Sequence, residues 1–289
     1  MTPTRFPVPF DTFVTPARTK PQLWRLFLGL FLFGIIYIGL TIAITAPAMY
    51  FGILDADMST NTLASMTVLF VTFWAALLGL WAVIRLLHSR KFSTLIGSLP
   101  QAKRDFLKAM ALFFVLQALW LMTSVITDGA LPNQTLISVL IFLPLAAILV
   151  FLQTGAEELF FRGYLLQQLA ARFQNPLIWF ALPPIAFGLL HYEPTVYGGI
   201  SWGVVIGICL TGLAWADLTR ITGNIGAAWG WHFMNNFLLF NFLSLQDDMN
   251  GFSWKVSAVG VEDMGRFEVF GDIGFTIVTW LILRRIVRP

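Results

Sequence analysis

Residues 136–170 read LISVLIFLPLAAILVFLQTGAEELFFRGYLLQQLA. From Leu136 to Ala156 no side chain is charged, which is enough helix to cross a hydrocarbon core of ~30 Å. Glu157 and Glu158 then stand side by side, and Arg162 follows one helical turn later. Ionisable groups are costly in hydrocarbon, so they face cavities, find partners and do chemistry. This stretch therefore sets an architecture of membrane helices and marks where a reaction site inside the membrane is expected.

The rest of the chain agrees. Hydrophobic residues make up 57% of the 289 and charged residues 11%, with a mean hydropathy of +0.77. Soluble domains average about 25% charged residues, so the chain reads as an integral membrane protein. Its pI of 9.2 calls for no nucleic acid, because the basic residues serve as topology signals and contacts to anionic headgroups. The single cysteine, Cys209, excludes an internal disulfide and reads as a buried bystander. Residues 1–22 carry prolines, Arg5, Arg18 and Lys20 ahead of an apolar run too long for a cleavable signal peptide, and neither end shows a lipidation motif.

Eight helical spans are expected, at 23–53, 61–87, 105–126, 136–170, 176–192, 199–219, 225–245 and 271–288. Basic residues gather at Arg5, Arg18, Lys20 and Arg25, between spans two and three, at Arg172, at Arg220, and at Arg284, Arg285 and Arg288. The alternate connections carry acids such as Asp55, Asp57 and Asp128. The positive-inside bias puts both termini in the cytoplasm, which requires an even number of spans. The chain then divides into a cytoplasmic segment (1–22), accessory helices (23–135), a core of four helices (136–245), a polar extracytoplasmic loop (246–270) with Asp247, Asp248, Glu262 and Asp263, and a last helix (271–289). Gly199, Gly203 and Gly207, four apart, predict a smooth helix face for close packing.

On a helix Glu158 and Arg162 share a face and can pair, while Glu157 is rotated by about 100° and stays available as a general base towards water. His191 follows Phe187 by one turn, and His232 and Asn236 share a face of span seven. Asn235 and Asn241 read as interhelical hydrogen-bonding groups, and His88 as a solvated residue at the cytoplasmic edge. Depth brings the polar groups together. Glu157 lies fifteen residues before Arg172, and His191 fifteen after Pro176, each ~22 Å from the same membrane face at the helical rise. His232 and Asn236 fall at ~10 and ~17 Å. Three helices thus deliver a carboxylate, two imidazoles and an amide towards one level.

These residues resemble a known family. Glu157-Glu158 with Arg162 matches a glutamate-glutamate-x-x-x-arginine motif, Phe187 with His191 a phenylalanine-x-x-x-histidine motif, and His232 with Asn236 a histidine-x-x-x-asparagine motif. Together they mark the CAAX prenyl endopeptidase type II and bacteriocin-processing (CPBP) intramembrane proteases, also called the abortive-infection family, over roughly 136–245. The resemblance implies an all-α polytopic membrane peptidase, classed with metalloendopeptidases, acting on membrane-associated or lipid-modified proteins. Glu157 with His191 would activate a water, His232 and Asn236 would stabilise the oxyanion, and Glu158 and Arg162 would orient the site. If zinc binds, its ligands are Glu157, His191 and His232. The absence of a histidine-glutamate-x-x-histidine helix favours catalysis that requires no cofactor.

The partners expected are the lipid bilayer and a peptide or protein substrate. The compact loops suggest a bacterial plasma membrane. Two other classes stand beside the peptidase, a non-catalytic membrane scaffold or immunity factor and a proton-coupled transporter. No inverted repeat is visible to support the transporter.

Overall fold

In hydrocarbon every backbone N–H and C=O must be satisfied within its own segment, so long apolar runs become helices. The computed structural model describes residues 6–246, 249–260 and 266–288. Asp247, Asp248, Glu262 and Asp263 lie outside the described residues.

The chain begins with α1 (Val8–Val14) and a 3₁₀ turn (Thr15–Thr19), followed by α2 (Leu23–Tyr50). Span two divides into α3 (Leu63–Val71) and α4 (Phe73–Leu86), and α5 runs Leu99–Thr127. The opening stretch becomes α6 (Leu136–Glu158), a π-helical segment (Leu159–Leu165) and α7 (Leu166–Arg172). A second π-helical turn (Leu177–Ala181) leads into α8 (Leu182–Leu189), and then come α9 (Pro194–Tyr197), α10 (Ser201–Thr222), α11 (Gly226–Asn241) and α12 (Arg266–Ile286).

All eight expected segments are thus helical, and the protein is a polytopic bundle. Five helical stretches are long and apolar enough to cross a bilayer: Leu23–Tyr50, Leu63–Leu86, Leu99–Thr127, Leu136–Arg172 and Pro194–Thr222. Leu177–Leu189 and the 16-residue α11 are shorter than that. The connection expected as a plain loop contributes β3 (Lys255–Ser257). It pairs antiparallel with β1 (Ala130–Pro132) and parallel with β2 (Leu243–Ser244), in the order β1-β3-β2.

The N-terminal segment packs into the fold: Phe6, Phe10, Phe13 and Val14 are buried, and the rings of Phe6 and Phe10 lie 5.1 and 5.2 Å from that of Trp179. Three readings change with the structure. Gly199 and Gly207 face open space, and only Gly203 meets a neighbour, Val269 of α12. The close helix crossing is elsewhere, where Gly226 and Gly230 of α11 lie on the backbone carbonyls of Ala102 and Phe106 in α5. Asn235 and Asn241 bond within α11 instead of between helices, to Asn236 Oδ1 and the Phe237 carbonyl.

His88 is also buried rather than solvated. Its Nε2 lies 3.2 Å from the Tyr164 hydroxyl. Burial, with the nearby charges of Arg90, Arg172, Arg25 and Lys20, pushes its pKa from 6.5 down to about 4. Between those values the unfolded chain binds a proton that the folded protein refuses. The stabilisation is therefore full above pH 6.5 and is lost as pH falls towards 4. Moving from pH 7 to pH 5 is expected to remove about 2 kcal/mol through this one group. Thermal unfolding in detergent should show the loss in the native protein, and His88→Gln should flatten it. Equal pH slopes in the two proteins would rule this explanation out.

Candidate active site

Glu157 and Glu158 end α6, and the backbone then widens into the π-helical segment that carries Arg162. Such segments are rare and recur at functional sites. Arg162 Nη1 donates to Glu158 Oε1 at 2.9 Å, with side chains only 1% and 0% exposed. A buried ion pair carries a desolvation penalty that attraction repays only with further favourable contacts. Here the guanidinium lies against the rings of Phe187 and Trp215, 4.9 Å from each centroid, a geometry that attracts cations to the faces of aromatic rings. Its Nη2 also reaches the Gly212 carbonyl of α10 at 3.5 Å.

His232 comes to this pair from α11. Its Nδ1 lies 2.9 Å from Glu158 Oε1, and its Nε2 lies 3.4 Å from Glu157 Oε2. A carboxylate accepts, so Nδ1 carries a proton towards Glu158, and the other ring nitrogen is Nε2. Asn236 Nδ2 lies 3.3 Å from that nitrogen and donates to Gln153 Oε1 at 3.0 Å, while Asn236 Oδ1 accepts from Asn235. Trp215 stacks on the imidazole, with centroids 4.4 Å apart and planes at 23°. One imidazole therefore links both glutamates. Glu158 is sealed between Arg162 and His232, whereas Glu157 keeps 18% of its side chain exposed.

His191 sits at the edge of this cluster, half-buried just beyond α8. Its Nδ1 donates to the Phe187 carbonyl at 2.8 Å, because a carbonyl can only accept. That leaves Nε2 as the ring nitrogen open to other partners. The Phe187 ring connects the two histidines, 4.8 Å from the His191 ring and 6.0 Å from that of His232. Among the described residues, no three His, Cys, Asp or Glu side chains converge to hold a metal ion. Glu158 and the Phe187 carbonyl each engage Nδ1 of one ring, His232 and His191 respectively, and leave Nε2 for other partners.

The structure thus gathers Glu157, Glu158, Arg162, His232 and Asn236 into one network and sets His191 at its rim. Gln153, Phe187 and Trp215 join them. Gln153 carried a signal in the sequence, since an amide in an apolar helix one turn before Glu157 is as anomalous there as the acid. Trp215 carried none, because an aromatic residue in an apolar helix looks like any other packing group.

Residues 133–238 match the family model of the Type II CAAX prenyl endopeptidase Rce1-like proteins. The protein is 31% identical over 257 residues to the uncharacterized protein YyaK of Bacillus subtilis (strain 168), covering 83% of this chain and 85% of that relative. No solved structure matches the chain.

Proposed function

Because this chain belongs to the Rce1-like type II CAAX prenyl endopeptidase family, we propose that it is an intramembrane endopeptidase in which Glu157 activates the attacking water. The observation that carries this reading is the link through His232, with Glu158 on Nδ1 and Glu157 on the Nε2 side. Of two adjacent carboxylates, one is thereby committed to structure and the other is exposed for proton transfer.

In this mechanism a water lies between Glu157 and the lone pair of His191 Nε2. Its oxygen bonds to the scissile carbonyl carbon as its proton passes to Glu157. His232 and Asn236 meet the oxyanion, and a preorganised donor of this kind is worth about 3 kcal/mol. The protonated Glu157 then gives its proton to the leaving nitrogen as the C–N bond breaks. Arg162 holds Glu158, and Glu158 fixes the orientation of His232. No metal takes part in these steps. The substrates are peptides of membrane-associated proteins, with or without a lipid, reached in a bacterial plasma membrane that the chain crosses eight times with both termini in the cytoplasm.

The test is purified protein in proteoliposomes with a library of membrane-anchored peptides, read by mass spectrometry for new termini. Cleavage is expected, and it should survive chelation. Stoichiometric zinc with loss of cleavage on chelation would sink the metal-free mechanism. Uptake driven by a pH gradient without cleavage would favour the transporter, and neither activity would favour the scaffold.

A further inference from the structure

A helix outside the matched domain reaches the site. Side chains of α2 meet the π-helical continuation of α6 in antiparallel order, and two contacts set the register. Gly29 lies against the Tyr164 hydroxyl. Four residues on, the Phe33 ring stacks on Phe160, with centroids 4.4 Å apart and planes at 26°. The step of four along α2 thus matches a step of four back along the π-helical segment. A further step in the same register would bring Tyr37 level with Ala156 and Glu157. Tyr37 stacks on Phe33 at 5.8 Å and 20°, which keeps its ring in line with the ladder. Glu157 is near enough to act electrostatically on the Tyr37 phenol.

In the resting structure the donors that would meet the oxyanion also face other groups. Asn236 Nδ2 donates to Gln153 Oε1 and lies 3.3 Å from His232 Nε2. His232 Nδ1 faces Glu158, and His191 Nδ1 faces the Phe187 carbonyl. An oxyanion forming beside Glu157 gains from a further donor that is not committed elsewhere. The Tyr37 hydroxyl is half-buried and makes no hydrogen bond to another described residue.

We infer that Tyr37 is a catalytic residue of this chain, donating its hydroxyl hydrogen to the scissile carbonyl oxygen as water adds to the carbon. This rests on the peptidase reading above. Tyr37 keeps its proton throughout. The water proton goes to Glu157, the carbonyl π electrons move to the oxygen, and collapse of the intermediate expels the amine with the proton from Glu157. Since Tyr37 belongs to α2, the working site extends beyond residues 133–238 that define the family match.

The test is Tyr37→Phe, which keeps the ring and its stack on Phe33 and removes only the hydroxyl. The full chain in proteoliposomes is assayed with a quenched fluorescent membrane-anchored peptide carrying a sequence that the native protein cleaves. The expected result is a fall in kcat of about 10²-fold, the scale for one oxyanion donor, with KM and thermal stability unchanged. Unchanged kcat in Tyr37→Phe, alongside a dead Glu157→Gln, overturns the role of Tyr37 and leaves the peptidase reading standing. An active Glu157→Gln, or a native protein that cleaves nothing, removes the peptidase reading and this inference with it. A Tyr37→Phe protein with a lowered unfolding temperature would place the hydroxyl in structure instead, and would also overturn the inference.

Discussion

Replacing Glu157 with Gln is expected to lower kcat by about 10³-fold, within the range for loss of a general base, while leaving the protein folded. Gln keeps the volume and polarity of the side chain but has no basic oxygen for the water proton. Little else should change, because Glu157 meets the network through a 3.4 Å approach to His232, and its side chain is 18% exposed. Glu158→Gln should behave differently. It removes the charge that pairs with an Arg162 only 1% exposed and that holds His232 Nδ1. Stranding one partner of a buried ion pair typically destabilises by about 3–5 kcal/mol, so activity and unfolding temperature should fall together. The measurement is kcat beside thermal unfolding in detergent for each variant. Two variants with the same profile would contradict the division of labour between the adjacent acids.

The second large effect is expected at Gly230. A Cβ there would run into the carbonyl oxygen of Phe106, and one at Gly226 into that of Ala102. Both obstacles are backbone, so no rotamer change relieves the clash and α5 must move away from α11. Overpacking typically costs about 1–3 kcal/mol, and Gly230→Val should lie at the upper end. His232 is two residues further on, so activity should fall even in molecules that fold. Gly207→Ala is the matched control. Nothing lies within 4 Å of a Cβ there, and alanine gains up to about 1 kcal/mol over glycine in a helix interior. Unfolding midpoints for the two variants should move in opposite directions. A Gly230→Val protein as stable as the native one would refute the close crossing.

These two glycine sets show where sequence reading succeeds and where it stops. Gly199, Gly203 and Gly207 repeat every four residues, and so do Gly226 and Gly230. The longer stripe reads as the closer packing face, yet the shorter one meets backbone. Spacing tells which residues share a face of a helix, and it carries no information about what lies opposite. His88 teaches the same lesson. Beside basic residues at the end of a span it reads as solvated, but Tyr164 on another helix covers it.

By itself the sequence determined the membrane class, the helical segments, and the residues able to do chemistry. Each of these depends on local composition or on periodicity along one helix: an apolar run must be helical in lipid, and a charge within it needs a reason. Only the tertiary structure decided who meets whom. It placed His232 between Glu157 and Glu158, set Arg162 against the rings of Phe187 and Trp215, joined Asn236 to Gln153, and stacked Phe33 on Phe160 with Tyr37 beside it. Those pairings depend on the register between helices distant in sequence, which is set by the few positions where backbones can approach closely, above all Gly226 and Gly230 against α5.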